Sequence, residues 1–171
     1  MNLDFTKETN KVEIFDAVNT FLNSKGFSIS AIDASRPWGG FFVIDESQSQ
    51  KFISDFFLGD DGHPKTESGK ISPKILIVQN DKRLSWQYHH RRAEKWVVIG
   101  GDVGIKVSND DNEGPLQMKK TGDLIILKQG ERHRLIGLSS WGIIAEIWQH
   151  TDENNPSNED DIVRVQDDFG R

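Results

Sequence analysis

The sequence predicts an all-β domain preceded by one α-helix, and three observations carry that expectation. From Thr9 to Ser24 the apolar residues Val12, Phe15, Val18, Phe21 and Leu22 recur at spacings of three and four. From Phe27 onward that period gives way to short apolar runs separated by Gly, Asp, Asn and Pro. In one such run Val103, Ile105 and Val107 alternate with Asp102, Gly104 and Lys106, the two-residue period of a half-buried strand. Six or more short strands with turn residues between them point to a sandwich or barrel.

The helix is expected to end at Gly26 and to lay its apolar stripe over the core. Strands are expected over Phe41–Ile44, Ile75–Val78, Trp96–Ile99, Val103–Val107, Leu124–Leu127 and Ile143–Trp148. Gly59–Gly69 reads as a polar loop and Asn109–Gly114 as a hairpin tip. Thr151–Asp161, acidic and rich in Asn, reads as a solvated connection to a last strand at Ile162–Val165. There is no internal repeat, and the division expected is a helical extension over 1–30 and a β domain over 31–171.

A chain of 171 residues with five Trp and ten Phe can bury roughly 70% of its unfolded surface without staples. It has no Cys, which excludes disulfides, thiolate metal sites and cysteine nucleophiles. A net charge of −6 argues against a nucleic-acid partner. No apolar run approaches a signal peptide or the roughly 20 residues of a membrane span, so a cytoplasmic domain is expected. There is no G-x-S-x-G and no Gly-rich phosphate loop, which leaves little room for hydrolase or nucleotide-binding readings.

The stretch L-S-W-Q-Y-H-H-R-R-A-E-K-W-V-V-I-G-G, from Leu84 to Gly101, is chemically the richest. Gln87 and His89 stand two apart in a strand-like run and leave the same face. Glu94 follows at an odd offset, so H-R-R-A must turn or bulge for it to join them. His133 lies far downstream, after the turn K-Q-G-E-R, where the chain re-enters the sheet with His133 and Leu135 facing one way. Two imidazoles, a carboxylate and an amide oxygen suit one divalent transition metal, with Zn, Mn, Fe, Co and Ni all compatible. His63, His90 and His150 are read as bystanders.

Gln87–Gly101 resembles the first cupin motif, and Gly122–Gly137 the second, with Gly122, Gly130 and His133 in register. Lys128 and Gly137 stand where that motif usually has Pro and Asn. The segments R-P-W-G-G (Arg36–Gly40), Arg83–Trp96, E-R-H-R-L (Glu131–Leu135) and Glu159–Arg171 occur in the order found in type II phosphomannose isomerases, and together the likeness spans Arg36 to Arg171. The N-terminal helix and Phe52–Gly69 look like additions, and Arg91 and Lys95 stand where the family commonly has His. The resemblance implies a cupin (double-stranded β-helix, jelly-roll) barrel, a Gln87, His89, Glu94 and His133 metal set, and interconversion of mannose 6-phosphate with fructose 6-phosphate. It also implies a small-molecule sugar phosphate as partner, and it leaves room for a homodimer.

Aldose–ketose isomerisation needs a Lewis acid, a proton carrier between C1 and C2, and cations for the phosphate. Glu146, which shares a face with Ile144 and Trp148, is the expected base, with Glu131 and Lys95 as rivals. Arg134 beside His133 is expected to stabilise the enediolate. Arg36, Lys74, Arg92, Lys128 and Arg164 are the expected phosphate contacts, and Trp38 the expected sugar contact. A non-catalytic sugar-binding cupin and a metal-dependent oxygenase are the rival functions. The fourth protein ligand leaves an oxygenase little open coordination.

Overall fold

The computed structural model describes residues 3–58 and 69–170. His63 and most of the Gly59–Gly69 loop lie outside the described residues, as does Arg171. The elements are α1 (Lys11–Ser24), β1 (Ile29–Asp33), β2 (Gly39–Ile44), α2 (Ser49–Phe56), β3 (Ile71–Val78), β4 (Trp86–His89) and β5 (Arg92–Gly100). They continue with β6 (Val103–Ser108), β7 (Gln117–Lys119), β8 (Leu124–Leu127), β9 (Arg132–Gly137), β10 (Gly142–His150) and β11 (Ile162–Gln166). No helix among the described residues is long and apolar enough to cross a membrane.

The expected helix forms, and its ends are chemically marked. The Asn10 side chain accepts from the Glu13 N–H while Glu13 returns a bond to the Asn10 N–H, a reciprocal capping box. At the other end Gly26 takes a left-handed φ of 76°. The Phe27 N–H then reaches Leu22 O at 3.1 Å and the Gly26 N–H reaches Asn23 O at 2.9 Å, the paired bonds of a Schellman stop.

Two antiparallel sheets face one another, in the strand orders β1-β2-β3-β10-β5-β8 and β11-β4-β9-β6-β7. Their pleats divide the apolar residues into two cores. Leu76, Trp96, Val98, Ile105, Leu135 and Ile144 fill the space between the sheets. Ile75, Ile77, Ile143, Ala145 and Ile147 face outward, where Ile14, Phe15, Val18 and Leu22 of α1 and Phe52 and Ile53 of α2 cover them. The covering is tight enough to stack Phe15 on Phe42 with centroids 5.4 Å apart. Strands β3 and β10, sandwiched between these layers, are buried on both faces, which is why their sequences read as continuous apolar runs.

Gly137, which departs from the cupin motif's usual Asn, has a packing cause. A Cβ there would lie 2.0 Å from Gln79 O, a backbone atom that cannot swing aside. Gly137→Ala should therefore destabilise the fold by about 1–3 kcal/mol, the usual cost of overpacking. A denaturant midpoint equal to that of the wild type would refute this close approach.

The connection Thr151–Asp161 is largely exposed, as expected, and is also fastened to the barrel as a strap. Ser157 and Asp161 are buried. Asp161 accepts from the Arg91 backbone N–H at 3.0 Å and from Ser157 Oγ at 2.6 Å. Arg91 donates to Asn155 Oδ1 at 2.7 Å and to Asn158 Oδ1 at 3.3 Å. Arg91 thus fastens the strap.

Candidate metal centre

Strand β4 belongs to one sheet and β5 to the other, so His90 and Arg91 turn a corner between them. That corner resets the alternation and lets Glu94 meet His89 despite its odd offset. His133 arrives from β9, whose register sets it opposite Gln87 on β4. Ligand atoms of His89, Glu94 and His133, all buried, lie within 4.8 Å of one another. His89 Nε2 is 3.1 Å from Glu94 Oε1, and His133 Nε2 is 3.4 Å from Glu94 Oε2.

Several details show a donor set suited to a cation. His133 Nδ1 lies 2.9 Å from Glu131 O, and since a carbonyl only accepts, the proton sits on Nδ1 and the Nε2 lone pair faces the cluster. That Nε2 is buried without a hydrogen-bond partner among the described residues. Burial pushes Glu94 up, but the charges of the His89 ring and the Arg92 guanidinium reverse this and hold it well below the usual carboxylate range. Burial pushes the His89 ring down, towards the neutral form that ligates metals.

Gln87 opens onto the same cavity as Glu94, and its Oε1 accepts from Ser85 Oγ at 2.5 Å. Arg92 supplies the positive charge beside the cluster. It donates from Nε to Glu94 Oε1 at 2.7 Å and from Nη2 to His89 Nε2 at 3.2 Å. Its Nη1 donates to Ser157 Oγ at 2.8 Å and to Asn158 O at 3.2 Å. Arg92 therefore lines the cavity with its charge, while its donors point into the protein.

The cavity measures about 510 Å³ including its open mouth. Its wall carries Arg36, Trp38, Lys74, Glu146, Trp148 and Arg164 besides Gln87 and Glu94, while His89 and His133 lie behind it. Trp96 Nε1 donates both to Glu94 Oε2 at 3.1 Å and to Glu146 Oε1 at 2.9 Å, bridging two carboxylates with one N–H. Burial and the neighbouring Glu94 charge push the Glu146 carboxyl up to about 8. Lys74, opposite Glu146 on β3, lies with Nζ 3.5 Å over the Trp148 ring. Arg36 pairs with Asp33 at 2.8 Å at the rim.

Four expectations are corrected. Arg134 follows His133 on β9 and so points to the opposite face, where it binds Glu113 and, at 3.2 Å, Gln166 Oε1. It is fully buried there and does not line the cavity. Lys128 is exposed in the turn between β8 and β9, also off the cavity wall. Of the rival bases, Lys95 sits between Glu94 and Trp96 on the alternate face of β5, and Glu131 spends its carbonyl on His133 and its carboxylate on the Lys128 N–H. His90 is exposed and His150 bonds to Ser72 and Ser157, so both are bystanders to the centre. The sequence reading missed Glu159, which also lines the cavity, because an acidic run resembles a solvated face.

Two facing sheets with a His–Glu–His cluster between them define a cupin barrel. KdgF from Halomonas sp. superposes over 76% of this chain and 89% of its own with a TM-score of 0.51 at 9% identity. An oxalate oxidase in complex with glycolate does so over 78% of this chain and 58% of its own, with a TM-score of 0.51 at 16% identity. Likenesses at that identity speak to the fold alone. The family model described as mannose-6-phosphate isomerase C-terminal matches residues 64–167, and the chain belongs to that family. Mannose-1-phosphate guanylyltransferase ManC from Salmonella typhimurium is 26% identical over 136 residues, and the alginate biosynthesis protein AlgA from Pseudomonas aeruginosa is 29% identical over 136 residues. Each match takes in 80% of this chain but 22% of the relative, so the chain spans about a fifth of the length of these proteins.

Proposed function

We propose that this chain is a metal-dependent sugar-phosphate isomerase that interconverts mannose 6-phosphate and fructose 6-phosphate. One observation carries the reading: the buried His89–Glu94–His133 cluster opens through Glu94 onto a cavity lined by a carboxyl group raised to about 8 and by several cationic side chains. His89, Glu94 and His133 would hold one divalent cation, with the Gln87 amide oxygen as the fourth protein ligand. A bound cation of this kind supplies Lewis acidity to a carbonyl and its enediolate.

The chain's own residues account for the remainder. Glu146, a carboxyl group that burial raises above its ordinary range, can take a proton from one carbon and return it to its neighbour. The Trp96 N–H fixes the orientation of that carboxyl group and ties it to Glu94. Lys74, Arg36 and Arg164 bring positive charge for the phosphate, and Trp38 and Trp148 supply apolar surface for the sugar ring.

A coupled assay on mannose 6-phosphate, run with and without chelator beside elemental analysis, tests the reading. Turnover that chelation abolishes and Zn, Mn or Co restores is the expected result. A protein that binds metal and sugar phosphate tightly without turnover would instead be a binding cupin, and the isomerase reading would fall.

A further inference from the structure

Among the described residues, Glu159 is the one cavity-lining carboxylate that the isomerisation chemistry leaves without a role. It opens a single turn of 3₁₀ helix (Glu159–Asp161) at the end of the strap, and its Oε1 accepts from Lys74 Nζ at 2.6 Å. The two partners are unequal. The Lys74 side chain is 8% exposed and seated between the rings of Trp148 and Phe41, whereas the Glu159 side chain is 50% exposed at the mouth. Lys74 is thus a fixed, buried charge, and Glu159 an anion delivered to it from a strap. Arg92 and Arg36 act on the same carboxylate. Burial works to raise Glu159, and Lys74, Arg92 and Arg36 reverse it, holding the group below its ordinary value.

We infer that Lys74, with Arg36 and Arg92 behind it, is the anion subsite of the cavity, and that the Glu159 carboxylate occupies it in place of a ligand's phosphate. The ligand class is a phosphate monoester, and the inference deepens the proposed function, on which it rests for the identity of the sugar. A phosphate that reaches Lys74 must first displace Glu159, so every anion binds more weakly by the fraction of time the carboxylate is absent. The displaced carboxylate is near solvent already and can be rehydrated at the mouth. The strap's other fastenings, Arg91 to Asn155 and Ser157 to Asp161, need not break.

The test is a calorimetric titration with inorganic phosphate at constant ionic strength, on the chelator-treated 171-residue chain so that no metal can ligate the anion. Glu159→Gln should bind phosphate about tenfold more tightly than the wild type, as expected if the carboxylate holds the subsite roughly nine-tenths of the time. Adding Lys74→Met to Glu159→Gln should abolish that gain. Equal or weaker phosphate binding by the Glu159→Gln chain, with an unchanged thermal midpoint, overturns the inference and leaves the ion pair as a fastening of the strap. Glu159→Ala gives the same readout should Gln disturb the turn. Because no turnover is measured, the gain can appear in a chain that fails to isomerise mannose 6-phosphate, and the two readings fall separately.

Discussion

Glu94→Gln is expected to empty the metal centre, with metal content dropping from about one ion per chain to background and isomerase turnover dropping at least a hundredfold. Glu94 is the sole anion of the cluster, and the imidazoles beside it are neutral ligands. Removing its charge leaves the Arg92 guanidinium, 2.7 Å from Oε1, to repel any arriving cation. The same change strands that guanidinium, 2% exposed, in the barrel. Breaking a buried ion pair from one side costs about 3–5 kcal/mol, so the metal-free variant should unfold at markedly lower denaturant. Arg92→Met combined with Glu94→Gln should recover much of that loss without recovering metal, since an apolar pair of similar volume often replaces a buried ion pair at little cost. Elemental analysis and a denaturant series read both effects. A Glu94→Gln chain that keeps its full metal content would remove Glu94 from the ligand set.

The strands that carry the centre were legible because burial on one or both faces writes a two-residue period or an apolar run into the sequence. Leu124–Leu127 forms as read, and β10 extends the expected Ile143–Trp148 by one residue before and two after. What escaped was either short or exposed. β1, reading I-S-A-I-D, has an exposed middle, β7 is three residues long, and the eight residues of α2 bury only Ser49, Phe52 and Ile53. The triad could be read because Gln87 and His89 obey strand alternation and the corner at His90–Arg91 was demanded by the offset of Glu94. Arg134 departs from its expected place because adjacency along a strand is not adjacency in space. On a strand, neighbours point to opposite faces, and His133 fixes which face is left for Arg134. The strap is legible as a connection to the last strand but its fastening is not, since its acidic and Asn side chains gain that role from Arg91, Arg92 and Lys74 on distant strands.

Glu146→Gln is expected to lower turnover more than tenfold, the usual scale of a lost acid–base group, while metal content stays intact. The amide keeps the size and the acceptor oxygen that meets Trp96 Nε1 at 2.9 Å, so the wall of the cavity is preserved and only the exchangeable proton is lost. A second readout separates this from a structural defect. In the metal-free chain burial and the Glu94 charge raise the Glu146 carboxyl from 4.5 to about 8. A raised folded-state pKa means the folded chain prefers the neutral acid, so its contribution to stability is full below about 4.5 and is lost as pH climbs through about 8. The neutral amide cannot ionise and has no such loss. Metal-free Glu146→Gln should therefore match the wild type near pH 4.5 and exceed it in denaturant midpoint near pH 8, even as its metal-loaded form is nearly inactive. A less active variant that is also less stable across that window would show a packing role for Glu146, and unchanged turnover would pass the proton transfer to another group on the cavity wall.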